Sequence, residues 1–339
     1  ASRGNVGQVG LGAVECNERL GRGAREAGRR SLEEVDRERV GKGYGMRYRC
    51  DQSNGSHEID TDDANCIFDA DNKLDRHYIE EMNKAFHAGF KILTSYRNSV
   101  NLSDNWVSSG SALWFIRESR FVNNSRMLFG SSCHVGGTGF MFSSEIMRRN
   151  KGWKFHLLTE DLEFTMDSVL HGDRIGYCGS AILYDEQPVS FKQSWRQRLR
   201  WSKGFLQVFR YYGPMLIRRA IQERDFSAVD FMLFLCPFTV IGIFRIALGC
   251  LFAMVGFVSW SSQLASINGW ASGIVISMLS MMALAGLTII AERNQIGATN
   301  KELFAYVLSF PIYMLSYIPI SFQAIFSKAE WKPIQHNGQ

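Results

Sequence analysis

The seven cysteines of this 339-residue chain, at positions 16, 50, 66, 133, 178, 236 and 250, show neither a Cys-x-x-Cys pair nor a Cys/His ligand spacing. That argues against a zinc framework, and with two of them in apolar segments they read as reduced thiols. A glycine-rich phosphate loop is also missing. Gly41-Lys42-Gly43 can bring backbone amides and one cation to a phosphate, but three residues are far too few for such a loop, and a turn is the stronger reading. Charge of one sign is scarce: the formal net charge is +5, with Arg and Lys spread out and interleaved with carboxylates. This is weak ground for nucleic-acid binding, and no nucleic-acid partner is expected. No secretory signal is visible. After about Asp225 charge nearly vanishes, so the mean hydropathy of -0.11 averages two unlike halves.

Residues 1–40 have hardly any apolar alternation from which to build a buried strand, beyond some helical character at Ala24-Arg25-Glu26-Ala27. Order begins at Asn65-Cys66-Ile67-Phe68, a short apolar run that stops at Asp69-Ala70-Asp71-Asn72. In an open α/β sheet, ligands collect at the carboxyl ends of strands, and alternate residues there point the same way, so Asp69 and Asp71 can face one site. Two such carboxylates suit Mg²⁺ or Mn²⁺ bridging a diphosphate; a solvated acidic turn fits this motif about as well. A helix follows from Arg76 to about Ala88, with Ile79, Met82 and Phe86 on one stripe and Gly89 as its stop. Lys91 to Tyr96 is the next strand, completing a βαβ-like unit. Trp106 to Phe129 mixes aromatic with polar residues and reads as helix without a decisive period. In Val135-Gly136-Gly137-Thr138-Gly139 the glycines allow close approach to a ligand such as a sugar, although a plain turn explains them equally well.

Thr159 can cap a helix whose apolar positions Leu162, Met166, Val169 and Leu170 recur at helical spacing, closed by Gly172. Glu160 and Asp161 then lie in its first turn, where the helix dipole favours the ionised, proton-accepting form; acidic residues that merely stabilise a helix start are common. A strand from Ile175 to Tyr184 leads to a second helix carrying Gln197, Arg200 and Trp201 at i, i+3 and i+4, on one face. An amide, a guanidinium and an indole together can bind a carbohydrate, and the guanidinium can hold a diphosphate bidentately. Arg196, Arg198, Lys203, Arg210, Arg218 and Arg219 continue a basic amphipathic character to Arg224, as in an interfacial membrane helix.

In this order, Phe68-Asp69-Ala70-Asp71, Thr159-Glu160-Asp161 and Gln197-Arg198-Leu199-Arg200-Trp201, followed by apolar segments, resemble the motif set of membrane-bound family-2 glycosyltransferases, which include cellulose, hyaluronan and poly-N-acetylglucosamine synthases. The resemblance implies an α/β, GT-A-like (Rossmann-like) domain followed by an all-α transmembrane region. It implies inverting transfer from a nucleotide sugar, UDP-N-acetylglucosamine or UDP-glucose, to a growing β-linked polysaccharide or oligosaccharide. By the same likeness Asp71, helped by Asp69, holds Mg²⁺ or Mn²⁺; Asp161, with Glu160 beside it, deprotonates the acceptor hydroxyl; and Gln197, Arg200 and Trp201 bind acceptor or diphosphate. Gly137 and Thr138 fall at a sugar pocket and Lys42 at the nucleotide. The Pro-x-x-Asn-Glu stretch that opens the domain in relatives is not visible, and Asn17, Ala24 to Gly28 and Gly41 to Met46 resemble its remnants, so a truncated or altered N-terminal part is expected. The alternatives are transfer to a polyprenyl phosphate or other lipid, and a non-catalytic membrane protein that keeps the fold.

The domains expected are a poorly defined segment 1–40, a catalytic domain 41–225 with an interfacial helix at about 192–224, and membrane or interfacial helices with a tail over 226–339. Residues 229–258 and 270–291 are long and apolar enough to span, and Arg245, costly in lipid, is expected to face a protein interior or an aqueous path. The basic stretches Arg210–Arg224 and Arg293–Lys301, against an uncharged 259–269, put the catalytic domain on the cytoplasmic side of a multi-pass plasma-membrane protein. Pro311 and Pro319 interrupt the apolar run 303–326, which is read as a kinked span or an interfacial element against membrane lipid. Trp331 to His336 resembles a gating segment of some relatives.

Overall fold

The computed structural model describes residues 64–69, 72–256 and 258–327. Lys42, Asp71, the helical stretch at Ala24–Ala27, the resembling remnants at Asn17, Ala24 to Gly28 and Gly41 to Met46, and the segment from Trp331 lie outside the described residues. A five-stranded sheet holds the soluble half. Its strands are β1 (Ala64–Ile67), β2 (Lys73–Leu74), β3 (Ile92–Ser99), β4 (Phe140–Ser143) and β5 (Ile175–Asp185), in the spatial order β1-β4-β3-β5-β2. β3 and β5 run parallel, while β4 lies antiparallel to both β1 and β3. β1 leads through the short β2 and the helix α1 (Tyr78–His87) to β3, which shares the direction of β1 but does not pair with it, because β4 separates them. The expected βαβ-like unit is split in this way.

β4 shows why its four residues read as one apolar run. Side chains alternate across a strand. Phe140 and Phe142 pack with Trp153, Phe155 and Phe164 on one face, and Met141 joins Tyr78, Met82, Leu93 and Leu183 on the other. With both faces covered, no polar alternation is needed.

The undecided stretch after Trp106 forms α2 (Trp106–Arg117), a π-helical turn (Glu118–Asn123) and α3 (Asn124–Leu128). Asn105 caps α2 in a reciprocal capping box with Ser108. After α4 (Ser144–Asn150) come α5 (Glu160–Leu170) and the 32-residue α6 (Phe191–Gln222).

Beyond α6 the first apolar segment is two helices instead of one span. α7 (Phe226–Leu235) ends before Cys236-Pro237, where proline supplies no amide for helix continuation, and α8 (Phe238–Met254) follows. Ala228, Phe231 and Leu235 of α7 pack on Val208 and Leu216 of α6 and on Leu162 and Met166 of α5, so this part belongs to the core of the soluble half. α9 (Trp260–Ala291), α10 (Asn300–Leu315) and α11 (Tyr317–Phe326) complete the described chain. Among the described residues two helical stretches, Trp260–Ala291 and Asn300–Phe326, are long and apolar enough to cross a membrane. Arg245 lies on the exposed face of α8, outside any protein interior. α8 turns the opposite way: Gly242 abuts Trp270 of α9, and Gln263 of α9 donates to the Ile246 carbonyl at 3.2 Å beside Gly249.

Arg198 is another revision. Its side chain is fully buried, and its Nη1 donates to the Tyr313 carbonyl at 3.0 Å and to Ser316 Oγ at 2.6 Å. Trp195 Nε1 donates to Gln323 at 2.9 Å, and Lys203 reaches the Ile325 carbonyl at 3.3 Å. This stretch of α6 is fastened to α10 and α11 by these contacts. The loop after α9 is fastened too: Glu292 accepts from Tyr96 Oη at 2.9 Å and pairs with Arg120 Nε at 2.9 Å.

Candidate active site

Asp69 follows the end of β1, and two acceptors hold its backbone amide: Asn72 Oδ1 at 3.1 Å and Thr138 Oγ1 at 3.0 Å. Thr138 also donates its hydroxyl to Asn72 Oδ1. Its side chain is buried, 3% exposed, so the hydroxyl braces the turn after β1 from below and does not line an open pocket. Next to it, Gly137 takes φ +82, and a Cβ added there would stand 3.3 Å from Asp161 Oδ2. The left-handed conformation and that proximity together require glycine. One two-residue step, Gly137-Thr138, thus has Asp161 against one residue and Asp69 against the other. The apolar stop at Asp69, the glycine loop and the acidic helix start, far apart in sequence, converge here.

Asp161 is part-exposed at the start of α5, while Glu160 is buried beside it. Thr165 Oγ1 donates to the Asp161 carbonyl at 2.9 Å and accepts from the Val135 amide at 3.2 Å, binding the first turn of α5 to the glycine loop. Thr159 stands at the N-cap position but makes no side-chain cap bond, and its buried Oγ1 is without a hydrogen-bond partner among the described residues. A Cβ on Gly204 of α6 would lie 2.5 Å from that oxygen, so the close approach of α6 occupies the space and holds the hydroxyl against a glycine. Glu163 anchors the loop ahead of α5 instead: its Oε2 accepts the His156 and Leu157 amides at 2.9 Å each. Burial pushes that carboxyl up from its ordinary value.

α6 grips the same loop. Arg200 Nη1 donates to the Leu158 carbonyl at 2.8 Å, and Gln207 Oε1 accepts the Leu158 amide at 3.3 Å. Trp201 sets its ring edge-on to Phe115, with centroids 5.9 Å apart. The Gln197 side-chain oxygen is buried and lacks a hydrogen-bond partner among the described residues. A buried acceptor left so costs about 1–3 kcal/mol, which makes it a receptive position for a donor group.

A residue that sequence reasoning missed lies beneath these. Arg97 of β3 donates from Nε to Asp185 Oδ2 at 2.9 Å and from Nη1 to the Gly136 carbonyl at 2.8 Å, and its guanidinium lies 3.7 Å from the Phe115 ring centroid. Burial works against its charge, but the carboxylates of Asp185, Asp69 and Glu118 outweigh it and hold the guanidinium above its ordinary value. Asp185 Oδ1 accepts from Asn72 Nδ2 at 3.1 Å, which returns the network to Asp69. The only local hint was an arginine in an otherwise uncharged strand. Near it, His134 Nδ1 and Glu118 Oε1 are 2.6 Å apart. Burial raises the Glu118 carboxyl, yet His134, Arg117 and Arg126 prevail and bring it below the ordinary carboxylate value. Among the described residues no group of three or more His, Cys, Asp or Glu side chains is arranged to hold a metal ion. The five described cysteines are free, and burial pushes Cys66 and Cys133 up to about 12, as for inert core thiols.

The molecule is thus an α/β protein with carboxylates, a glycine loop and a cation-aromatic helix gathered at one end of its sheet strands, joined to apolar helices. Residues 66–318, about three quarters of the chain, match the model of glycosyl transferase family group 2, and the chain belongs to that family. The mixed sheet and flanking helices are accordingly a GT-A fold. A probable glycosyltransferase, YdaM, of Bacillus subtilis (strain 168) is 26% identical over 159 residues, 42% of this chain and 34% of the relative. A probable glycosyltransferase of Sulfolobus acidocaldarius is 31% identical over 104 residues, 30% of this chain and 22% of the relative. A probable glucomannan 4-beta-mannosyltransferase 9 of Oryza sativa subsp. japonica is 30% identical over 99 residues, 28% of this chain and 18% of the relative. The chain spans about a third or less of the length of these relatives.

Proposed function

We propose that this protein is an inverting glycosyltransferase that moves a sugar from a nucleotide-sugar donor, UDP-N-acetylglucosamine or UDP-glucose, to a hydroxyl of a growing β-linked polysaccharide or oligosaccharide at a membrane surface. One observation carries the reading: the part-exposed Asp161 carboxylate lies against Gly137, one residue from the Thr138 that braces Asp69. A proton acceptor and a diphosphate-side carboxylate then flank a loop small enough to admit a sugar. The rice relative's printed name, that of a β-mannosyltransferase, supports the β-linked product.

In this account the acceptor hydroxyl gives its proton to Asp161 as its oxygen bonds to the anomeric carbon, and the bond from that carbon to the diphosphate oxygen breaks on the opposite face. A positioned base contributes about 10²- to 10⁴-fold. Glu160, buried beside it, stabilises the helix start that holds Asp161. Asp69 and Asp71 offer hard oxygen ligands, and Mg²⁺ or Mn²⁺ on a diphosphate needs only one or two carboxylates, so this donor chemistry fits without a larger cluster. Such an ion, when bound, neutralises charge on the leaving diphosphate. Arg200 and Trp201 position the acceptor, and the unpartnered Gln197 oxygen accepts one of its hydroxyls. Lys42 serves the nucleotide.

For the membrane arrangement, α9 crosses and the 17-residue α8, at the short limit of about 17 residues for a span, pairs with it as a hairpin, since Glu292 at the end of α9 is tied to Tyr96 and Arg120 of the soluble half. α10 and α11 lie along the interface against membrane lipid, as the contacts of Tyr313, Gln323 and Ile325 with α6 support. The distribution of basic residues supports a cytoplasmic catalytic side, and the resemblance to membrane-bound polysaccharide synthases supports the plasma membrane.

Asp161→Asn tests the reading. It should lower transfer by roughly 10²-fold or more while UDP with Mn²⁺ binds within about threefold of the parent, because the shape is kept and the base removed. Near-normal transfer by the variant would show that the base lies elsewhere.

A further inference from the structure

We propose that Arg97 is a positioning residue that couples the two halves of the site, making the placement of the glycine loop and Asp69 depend on the acceptor-side helix α6. This deepens the proposed function and rests on it only for what the two halves bind. From Trp201 the contacts run without a gap. Its ring meets Phe115 edge-on, the face of Phe115 carries the Arg97 guanidinium, and Arg97 holds both the Gly136 carbonyl and the Asp185 carboxylate. Asp185 holds Asn72, which accepts the Asp69 amide.

Each contact uses a different feature of one planar group. Two edges of the guanidinium donate in fixed directions while its face lies on an aromatic ring, and an ammonium cannot reproduce the combination. The backbone sets the aim. Pairing of β3 with β5 shifts register between Ser95 and Tyr96, and the Arg97 amide is held by Ser119 Oγ at 3.1 Å in the π-helical turn. Such turns cluster at functional sites. Arg97 is part-buried behind the glycine loop and acts through Gly136 and, by way of Asp185, through Asn72.

The test uses the full chain in lipid nanodiscs with Arg97→Lys and Phe115→Leu. Amide hydrogen exchange is followed at 135–140 and 197–203, and transfer kinetics with UDP-N-acetylglucosamine and Mn²⁺. Arg97→Lys keeps a cation beside Asp185 but releases Gly136. Exchange at 135–140 should rise at least tenfold, and kcat should fall roughly 10²-fold while the donor KM moves less than about threefold, the mark of misplacement. A merely structural role would lower the folded fraction and leave both constants of the folded enzyme unchanged. Phe115→Leu, which removes the ring that joins Trp201 to Arg97, should also raise exchange at 135–140. A response confined to residues around Phe115, or unchanged exchange at 135–140 in Arg97→Lys, would overturn the coupling. If the parent chain transfers sugar from no donor, the proposed function fails, and the exchange data alone still decide the coupling.

Discussion

Arg200 donates to the carbonyl of Leu158 at 2.8 Å, fastening the middle of the Gln197–Trp201 stretch to the loop that delivers Glu160 and Asp161. Two motifs separated by a strand and a turn thereby move as one piece. Gly204 completes the attachment one turn later, where a side chain would collide with Thr159.

A first prediction concerns that bond. Hydrogen bonds to charged groups are worth about 1.5–3 kcal/mol of stability, so Arg200→Ala should lower thermal stability by that order, and by releasing the loop that delivers Asp161 it should lower kcat/KM roughly 10- to 100-fold. Initial rates and unfolding curves of the purified chain decide it. Parent-like rates would remove Arg200 from the site.

The Glu118–His134 pair gives a pH dependence. The folded Glu118 carboxyl titrates below its ordinary value, so its contribution to stability is complete above the unfolded value of about 4.5 and is lost as pH falls through the folded value. Thermal unfolding from pH 7 to about pH 3 should show the parent losing more stability than Glu118→Gln, with the difference opening below about 4.5. Equal slopes would mean that the pair is not coupled to folding.

Membrane placement is open to labelling. Cysteines introduced at Ser261, at the far end of the α8–α9 hairpin, and at Asn294, in the loop tied to the soluble half, should react with an impermeant maleimide from opposite sides of sealed vesicles. Labelling of both from one side would exclude a crossing hairpin.

Legibility followed the range of the interactions involved. The end of β1 at Ile67 and the starts of α5 and α6 lie within about two residues of where local pattern puts them, because apolar runs and their stops are local signals. The break at Pro237 was also local, but continuous hydrophobicity masked it. Arg198 read as one more cation of a basic interfacial helix because its partners, Tyr313 and Ser316, lie more than a hundred residues away. Thr159 was expected to cap α5, and nothing nearby in sequence announces that Gly204 would bring α6 against it. The Arg97–Asp185 pair joins strands that meet only in the sheet, and the insertion of β4 between β1 and β3 is likewise a property of topology.

The most direct measurement is sugar incorporation by membranes carrying this chain, offered radiolabelled UDP-sugars one at a time with Mg²⁺ or Mn²⁺, with the product sized. The account predicts metal-dependent incorporation from one donor, UDP-N-acetylglucosamine or UDP-glucose, into a long polymer, and its loss in Asp161→Asn. A short lipid-linked product would contradict the polysaccharide assignment, and no incorporation from any donor would contradict the proposed catalysis by this chain.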